Sequence, residues 1–372
     1  MRDLSLRLGE TFETVVLVPR VPGAARREQV GDVVIERFAY FPRRWEDLAH
    51  GAIIENLRAR HTRWLQVVPF LLCESFHLRR LIRRHRPDVL HLHWVLPQGL
   101  AALVSGRRVP WVVTTLGGDV YALRGAVSRR LKRAVLRRAR AVTAQNEDMR
   151  RRLIGVGAPP ASTFVQVPGA DIVGMRKLAP AAEEQIPGRL LFVGRLVEKK
   201  GVAVLLEALR RLPTTLPWTL EIIGDGPLAD DLKSRSAGLA VTFSGSASRE
   251  GLAHAYARSS VVVVPSIPAA SGDQDGLPTV LLEAMGAGRT VVASDLPGIN
   301  EAVTDGETGL LVRPNDADAL AAALEAALAD DGLRDRLGAA AQRRSDDYTI
   351  EACSQRFVEI LSDAASGGRE PA

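Results

Sequence analysis

Cysteine is nearly absent from this 372-residue chain: Cys73 and Cys353 are the only two. Two thiols so far apart offer neither a zinc spacing nor a disulfide framework, so a reducing compartment is the default. Long apolar runs are absent as well. The longest, Trp64–Cys73, has 10 residues and contains both Gln66 and Pro69, whereas a helix needs about 20 to span a bilayer. No signal-peptide pattern is visible at the written start, and no internal repeat along the chain. The G-x-G-x-x-G opening of a dinucleotide-binding fold is missing, which argues against a nucleotide-linked dehydrogenase. No residue cluster has metal-ligand spacing, so no metal is expected.

At 46% hydrophobic residues the chain is ordinary for a globular protein, and its length suits two domains. Its charge is unevenly spread. Residues 1–180 hold 31 Lys and Arg against 15 Asp and Glu, a net +16, and the remainder is −10. The two halves therefore have different neighbours, and the basic half suits an anionic surface. The basic helix expected at Ser128–Arg140 has no aromatic interleaving and no groove-reading module, which disfavours nucleic acid. Phosphate-rich membrane, polyanionic acceptor and a plain solvated face remain open for it.

The most informative stretch is Pro265–Val303. It follows the β-branched run Val261–Val264, which reads as a strand buried on both faces. A loop rich in Gly, Ser and Asp leads through Gly276, Leu277 and Pro278 into an expected helix, Thr279–Gly286. Glu283 is the lone carboxylate on that helix and is costly to bury without a partner. Asp275 precedes it by seven intervening residues, at the helix mouth. Two carboxylates flanking a helix N-terminus, itself an anion site, suit a ligand with hydroxyls at both ends and phosphate between. A nucleotide sugar has that chemistry.

The sequence D-G-L-P-T-V-L-L-E-A-M-G-A-G-R-T-V-V-A from Asp275 to Ala293 resembles the signature of the retaining glycosyltransferases of family 4, the GT-B type. Asp275 stands where that family usually has Glu, and Arg289-Thr290 where it has x-Pro. The second motif, G-R-L-V-E-K-K-G at Gly194–Gly201, is similar to the family's G-R-[LF]-x-x-x-K-G. The resemblance implies that Arg195 and Lys200 neutralise the donor diphosphate, Asp275 meets the donor sugar and Glu283 the ribose. The turn at Gly224, Asp225, Gly226 and Pro227 matches the family, and Gly245 opens a loop where relatives hold the base largely through backbone, as the resemblance implies for this chain. Gly276, Leu277 and Pro278 complete the donor-binding set. The donor is a co-substrate, and no cofactor is implied.

The basic half resembles the family less closely. Trp111–Tyr121 matches a strand followed by His-Gly-x-Asp, with Gly117, Gly118 and Asp119 in place but Leu116 at the histidine position. Asp119 is taken as a candidate catalytic residue, and His93, Gly117, Gly118 and Asp119 as the acceptor side. His91 and His93 point to the same face of the strand Asp88–Trp94; lining a cleft and a structural role are both open. Helical pattern fills Ala52–His85, broken near Pro69. Its second part, Leu71–Arg86, with Trp64 and Phe70 nearby, suits either a membrane interface or an ordinary solvated basic face. Met1–Gly9 reads as the end of a helix and Thr14–Val18 as the first strand. The strand and Gly-rich loop that open a Rossmann half are not present before it, so a truncated start is expected.

The expected class is α/β: two Rossmann-like domains facing a cleft, with a C-terminal helix crossing back to the first. The divisions are 1–180 on the acceptor side, 181–347 for the nucleotide sugar, 348–365 for the crossover helix and 366–372 for a disordered tail, with Pro168–Gly188 as linker. The expected reaction moves a sugar from a nucleoside diphosphate sugar to a hydroxyl with retention, in cell-surface polysaccharide or glycolipid synthesis. The place is the cytoplasm, peripherally at the inner face of a membrane, with a lipid-linked glycan among the possible acceptors. The rivals are a same-fold epimerase or sugar phosphorylase, and a truncated, non-catalytic sugar-nucleotide-binding protein.

Overall fold

The computed structural model describes residues 2–49, 53, 56, 57, 60–106, 108–122, 124–178 and 185–367. The expected helix start at Ala52, the middle of the linker (179–184) and most of the tail (368–372) lie outside the described residues. The chain forms two compact units. One comprises Met1–Ala144, Arg150–Gln166 and Ser354–Ala372; the other comprises Gln145–Met149 and Val167–Cys353.

The second unit is a doubly wound sheet. Strands β8 (Arg189–Val193), β9 (Thr219–Ile223), β10 (Val241–Gly245), β11 (Val261–Val264), β12 (Thr290–Ser294) and β13 (Leu310–Val312) line up in the order β10-β9-β8-β11-β12-β13, all pairs parallel. Side chains alternate across a strand, and two apolar cores form as a result. Leu191, Val193, Val262, Val264 and Val291 join one, with the helices Arg249–Arg258 and Thr279–Gly286. Leu190, Phe192, Val261, Val263 and Val292 join the other, with Val202–Leu209 and Ala317–Ala329. Burial on both faces is why Val261–Val264 needs no polar residue.

The first unit holds two sheets. In one, β1 (Thr14–Pro19) runs parallel to β3 (Val33–Phe38), which pairs antiparallel with β2 (Arg27–Val30). The sequence did not announce β2, a short polar strand. The other sheet runs β4-β5-β6-β7, made of Leu90–His93, Trp111–Thr114, Ala141–Ala144 and Thr163–Val165, all parallel. No strand pairing joins β1 to β4 among the described residues.

Two expectations about this unit are corrected. The break expected near Pro69 falls slightly earlier, between the 3-10 turn His61–Gln66 and the α-helix Val67–His85, and Pro69 itself lies inside the latter. The proline sits in its first turn, where a missing N–H forfeits no helical hydrogen bond. Phe70 is not at the surface. It is buried with Phe38 and Tyr40, ring centroids 5.4 and 5.0 Å away.

Candidate active site

In the second unit, β8 and β11 are neighbours, yet the chain leaves β8 toward one edge of the sheet and β11 toward the other. Such a switch point opens a crevice at the C-terminal strand ends, where open α/β sheets bind ligands. Both sequence motifs lie there. The loop after β8 carries Gly194–Gly201, and the loop after β11 carries Asp275.

The two loops are held very close. Gly201 has φ +66°, and a Cβ there would lie 1.7 Å from the Pro265 carbonyl oxygen, so no other residue fits. Across this contact Lys200 Nζ donates to Asp275 Oδ2 at 2.7 Å, and Ser266 Oγ donates to the same oxygen at 3.2 Å. Lys199 lies 3.5 Å from the other Asp275 oxygen and 3.1 Å from Asp273. The Asp275 side chain is only 13% exposed. Burial alone would push its pKa up, but Lys200, Lys199 and Ser266 outweigh that and hold it below the ordinary aspartate value. The site therefore presents a fixed carboxylate beside two ammonium groups.

Arg195 is exposed at the start of the same loop. The Lys200 chain runs beside it, its Cδ and Cε 3.7 Å from where a Gly194 Cβ would stand. The turn after β9 packs against this loop. A Cβ on Gly224 would lie 1.9 Å from the Gly194 carbonyl oxygen, and the Leu196 amide donates to the Asp225 carbonyl at 2.9 Å. Gly226 lies under Leu196 in the same way, while Gly245 closes β10 and its carbonyl accepts from the Gly224 amide at 2.7 Å.

Glu283 has the partner its apolar helix demanded: Tyr256 Oη donates to Oε2 at 2.9 Å. Burial, and then the nearby Glu283 charge, push the Tyr256 pKa well above its ordinary value, so it remains a donor. At the helix mouth Gly276, Leu277 and Pro278 are buried. The Leu277 amide donates to Gln145 Oε1 at 3.1 Å, and Asn146 Nδ2 donates to the Gly276 carbonyl at 2.9 Å. Thus Asp275, Arg195 and Lys200 share one loop pair, and Glu283 stands on the helix that follows. Lys199, Asp273, Ser266, Tyr256, Gln145 and Asn146 escaped sequence reading. The doubled lysine and the D-x-D spacing at Asp273 and Asp275 were the available signals for two of them.

The first unit has its own polar centre at the ends of β4 and β5. His91 Nε2 lies 2.7 Å from Thr114 Oγ1, and the His91 and His93 rings sit 4.3 Å apart. Burial pushes the His91 pKa down to about 4 and that of His93 further below the ordinary value, so both rings are neutral. His93 Nδ1 is buried without a hydrogen-bond partner among the described residues. Asp119 is buried, and its two oxygens accept from the Val95 and Leu116 amides at 3.1 and 3.0 Å. It ties the loops after β4 and β5 together, with Gly117 and Gly118 in the turn between. Burial raises its pKa, partly offset by those amides and by Lys132. Lys132, buried and donating to the Ala122 carbonyl at 2.9 Å, was also missed. It is the one lysine in an otherwise arginine-only basic helix. Among the described residues no three His, Cys, Asp or Glu side chains group as metal ligands, and no helix is long and apolar enough to cross a membrane.

Both units are of the α/β class and hold a parallel sheet, with polar loops at the C-terminal strand ends. Comparison with known proteins agrees. Residues 187–330 match the family model "Glycosyl transferases group 1", and residues 2–169 match "Glycosyl transferase 4-like domain". Glycogen synthase of Mycobacterium tuberculosis is 29% identical over 78% of this chain and 72% of its own. Sucrose-phosphate synthase from Thermosynechococcus elongatus superposes with a TM-score of 0.76 at 20% identity, covering 98% of this chain and 92% of that one. Anabaena Alr3699/HepE, in complex with UDP-glucose, gives 0.66 at 21% identity, covering 88% and 86%. The chain belongs to the glycosyltransferases of the GT-B type, family 4.

Proposed function

We propose that the chain transfers a glycosyl group from a nucleoside diphosphate sugar to a hydroxyl, with retention. The observation that supports this best is the meeting of Lys200 and Asp275 at the switch point of the second unit. An ammonium group there suits a diphosphate, and a fixed carboxylate beside it suits sugar hydroxyls. The UDP-glucose bound by the Anabaena protein is a donor of this class.

In this reading Arg195 and Lys200 neutralise the departing diphosphate, assisted by the helix N-terminus at Leu277 and Pro278. Lys200 exchanges its Asp275 partner for phosphate, and Asp275, still beside Lys199 and Ser266, accepts from the donor sugar. Glu283 accepts from the ribose, and Gly224, Gly226 and Gly245 bring backbone to the nucleotide. The bond from the anomeric carbon to the phosphate oxygen breaks, and the diphosphate keeps its electron pair. The acceptor oxygen forms the new bond on the same face, and its proton passes to the leaving phosphate. Charge handling by these cations calls for no metal. His93, Gly117, Gly118 and Asp119 form the acceptor side, with Asp119 as the clamp that shapes it. The setting is cell-surface polysaccharide or glycolipid synthesis, by a peripheral enzyme at the cytoplasmic face of a membrane.

Mass spectrometry of reactions with a panel of nucleotide sugars tests this. A glycosylated product with release of nucleoside diphosphate is the expected result. Turnover of the sugar nucleotide without any acceptor would point instead to an epimerase or phosphorylase.

A further inference from the structure

Buried Phe70, Glu74 and Leu81 define the inward face of the helix Val67–His85. At 100° per residue its opposite side carries Val68, Leu72 and Phe76, then Arg79, Arg80 and Arg83, all within an arc of roughly 120° and a length of about 22 Å. All six are exposed. Phe76 is 64% and Leu72 65% exposed, where a soluble helix would place polar side chains. The turn leading into this helix extends the face with Trp64 and Leu65, also exposed. Trp45 joins it from another loop: Asp47, two residues on, pairs with Arg63 at 2.8 Å and accepts from Gln66 at 2.8 Å. Contiguous exposure of this kind marks an interaction surface.

We propose that this face lies on an anionic lipid surface, with the helix parallel to the bilayer. Charge selects the occupant. Arg79, Arg80 and Arg83 have no ion pair among the described residues, while Arg84 reaches Glu36 at 3.5 Å. Arg43 and Arg44 stand exposed beside Trp45, and residues 1–180 are net +16. A second copy presenting the same face would bring like charges together. Phospholipid headgroups supply the missing anions, the acyl boundary takes Leu65, Val68, Leu72 and Phe76, and the two tryptophans suit the headgroup level. This deepens the reading of a membrane-side enzyme and rests on it for its purpose, but not for its test, because vesicle binding needs no donor.

The full chain is sedimented with vesicles of phosphatidylcholine alone and of phosphatidylcholine with phosphatidylglycerol, at low and high salt. Binding is expected only to the second composition, falling as salt screens the arginines. Combining Arg79→Gln, Arg80→Gln and Arg83→Gln should weaken it about a hundredfold, and Leu72→Gln with Phe76→Gln at least tenfold. Tryptophan emission should shift to the blue on binding, and lose that shift with Trp45→Phe and Trp64→Phe together. Unchanged melting temperature and nucleoside diphosphate binding show that each variant is folded. No binding at low salt, or equal binding to both vesicles, overturns the proposal. A dimer in light scattering that Leu72→Gln with Phe76→Gln dissolves, without vesicle binding, assigns the face to a second copy instead. Loss of transfer with vesicle binding intact would count against the proposed chemistry and not against this surface.

Discussion

Lys200 Nζ and Asp275 Oδ2 lie 2.7 Å apart on loops that leave two adjacent strands in opposite directions. The pair makes the two side chains rivals for each other as well as for a donor. Lys200→Ala should weaken binding of a bare nucleoside diphosphate by roughly 1.5–3 kcal/mol, the worth of one charge-assisted hydrogen bond. Asp275→Asn should leave that binding intact or tighten it, because the ammonium loses a competing anion, while transfer falls. Calorimetry with the diphosphate, beside turnover of the sugar nucleotide, separates the two roles. Equal loss of diphosphate affinity in both variants would refute the division.

Glu283 and Tyr256 form the second test. Glu283→Gln should weaken binding of the nucleoside itself, since an amide replaces the carboxylate proposed to accept from the ribose. Tyr256→Phe removes one hydrogen bond and leaves a half-buried carboxylate with a partner fewer, at a cost of about 1–3 kcal/mol in stability. Its effect on nucleoside affinity should be smaller than that of Glu283→Gln. Thermal melts with and without nucleoside measure both; a larger affinity loss in Tyr256→Phe would make the tyrosine the binding group.

Why these residues differed in legibility is physical. Asp275 and Glu283 stood out by a local rule, charges beside an apolar helix, and Arg195 and Lys200 by the likeness of Gly194–Gly201 to the family's motif. The β-branched run Val261–Val264 announced a strand buried on both faces, again by a local rule. Tyr256 could not be read. An aromatic in the amphipathic helix Arg249–Arg258 looks like core, and only the packing of that helix against Thr279–Gly286 brings its hydroxyl to Glu283. Gln145 and Asn146 were hidden in the same way, since their partners Leu277 and Gly276 stand more than a hundred residues away in sequence. Phe70 was misplaced because an apolar residue in a basic, apolar-rich helix can face either way. The aromatic contacts with Phe38 and Tyr40 decide it.

Asp119 holds two backbone amides, one buried and one part-buried, so its replacement should show first in stability. Asp119→Ala leaves the Val95 and Leu116 amides unpaired, each costing about 1–3 kcal/mol. Asp119→Asn keeps one acceptor oxygen and should fall between. If Asp119→Asn instead abolishes transfer with the melting temperature unchanged, the residue touches substrate directly and is more than a clamp.

Glu74 gives a prediction in pH. It lies on the inward face of Val67–His85, its Oε2 has no hydrogen-bond partner among the described residues, and burial pushes its pKa up to about 8 from 4.5. An acid with a raised pKa binds its proton more tightly in the folded state. Its share of stability is therefore complete below pH 4.5, the unfolded value, and is lost as pH rises toward 8. The slope approaches about 1.4 kcal/mol per pH unit across that window, screened little because the group is buried. Glu74→Gln removes the titrating proton while keeping the side chain's shape. The melting temperature of the variant should therefore exceed that of the parent at pH 8, with the gap closing or reversing at pH 5. Paired melts at the two pH values measure this, and a gap that does not change with pH would show that Glu74 is ionised in the folded chain.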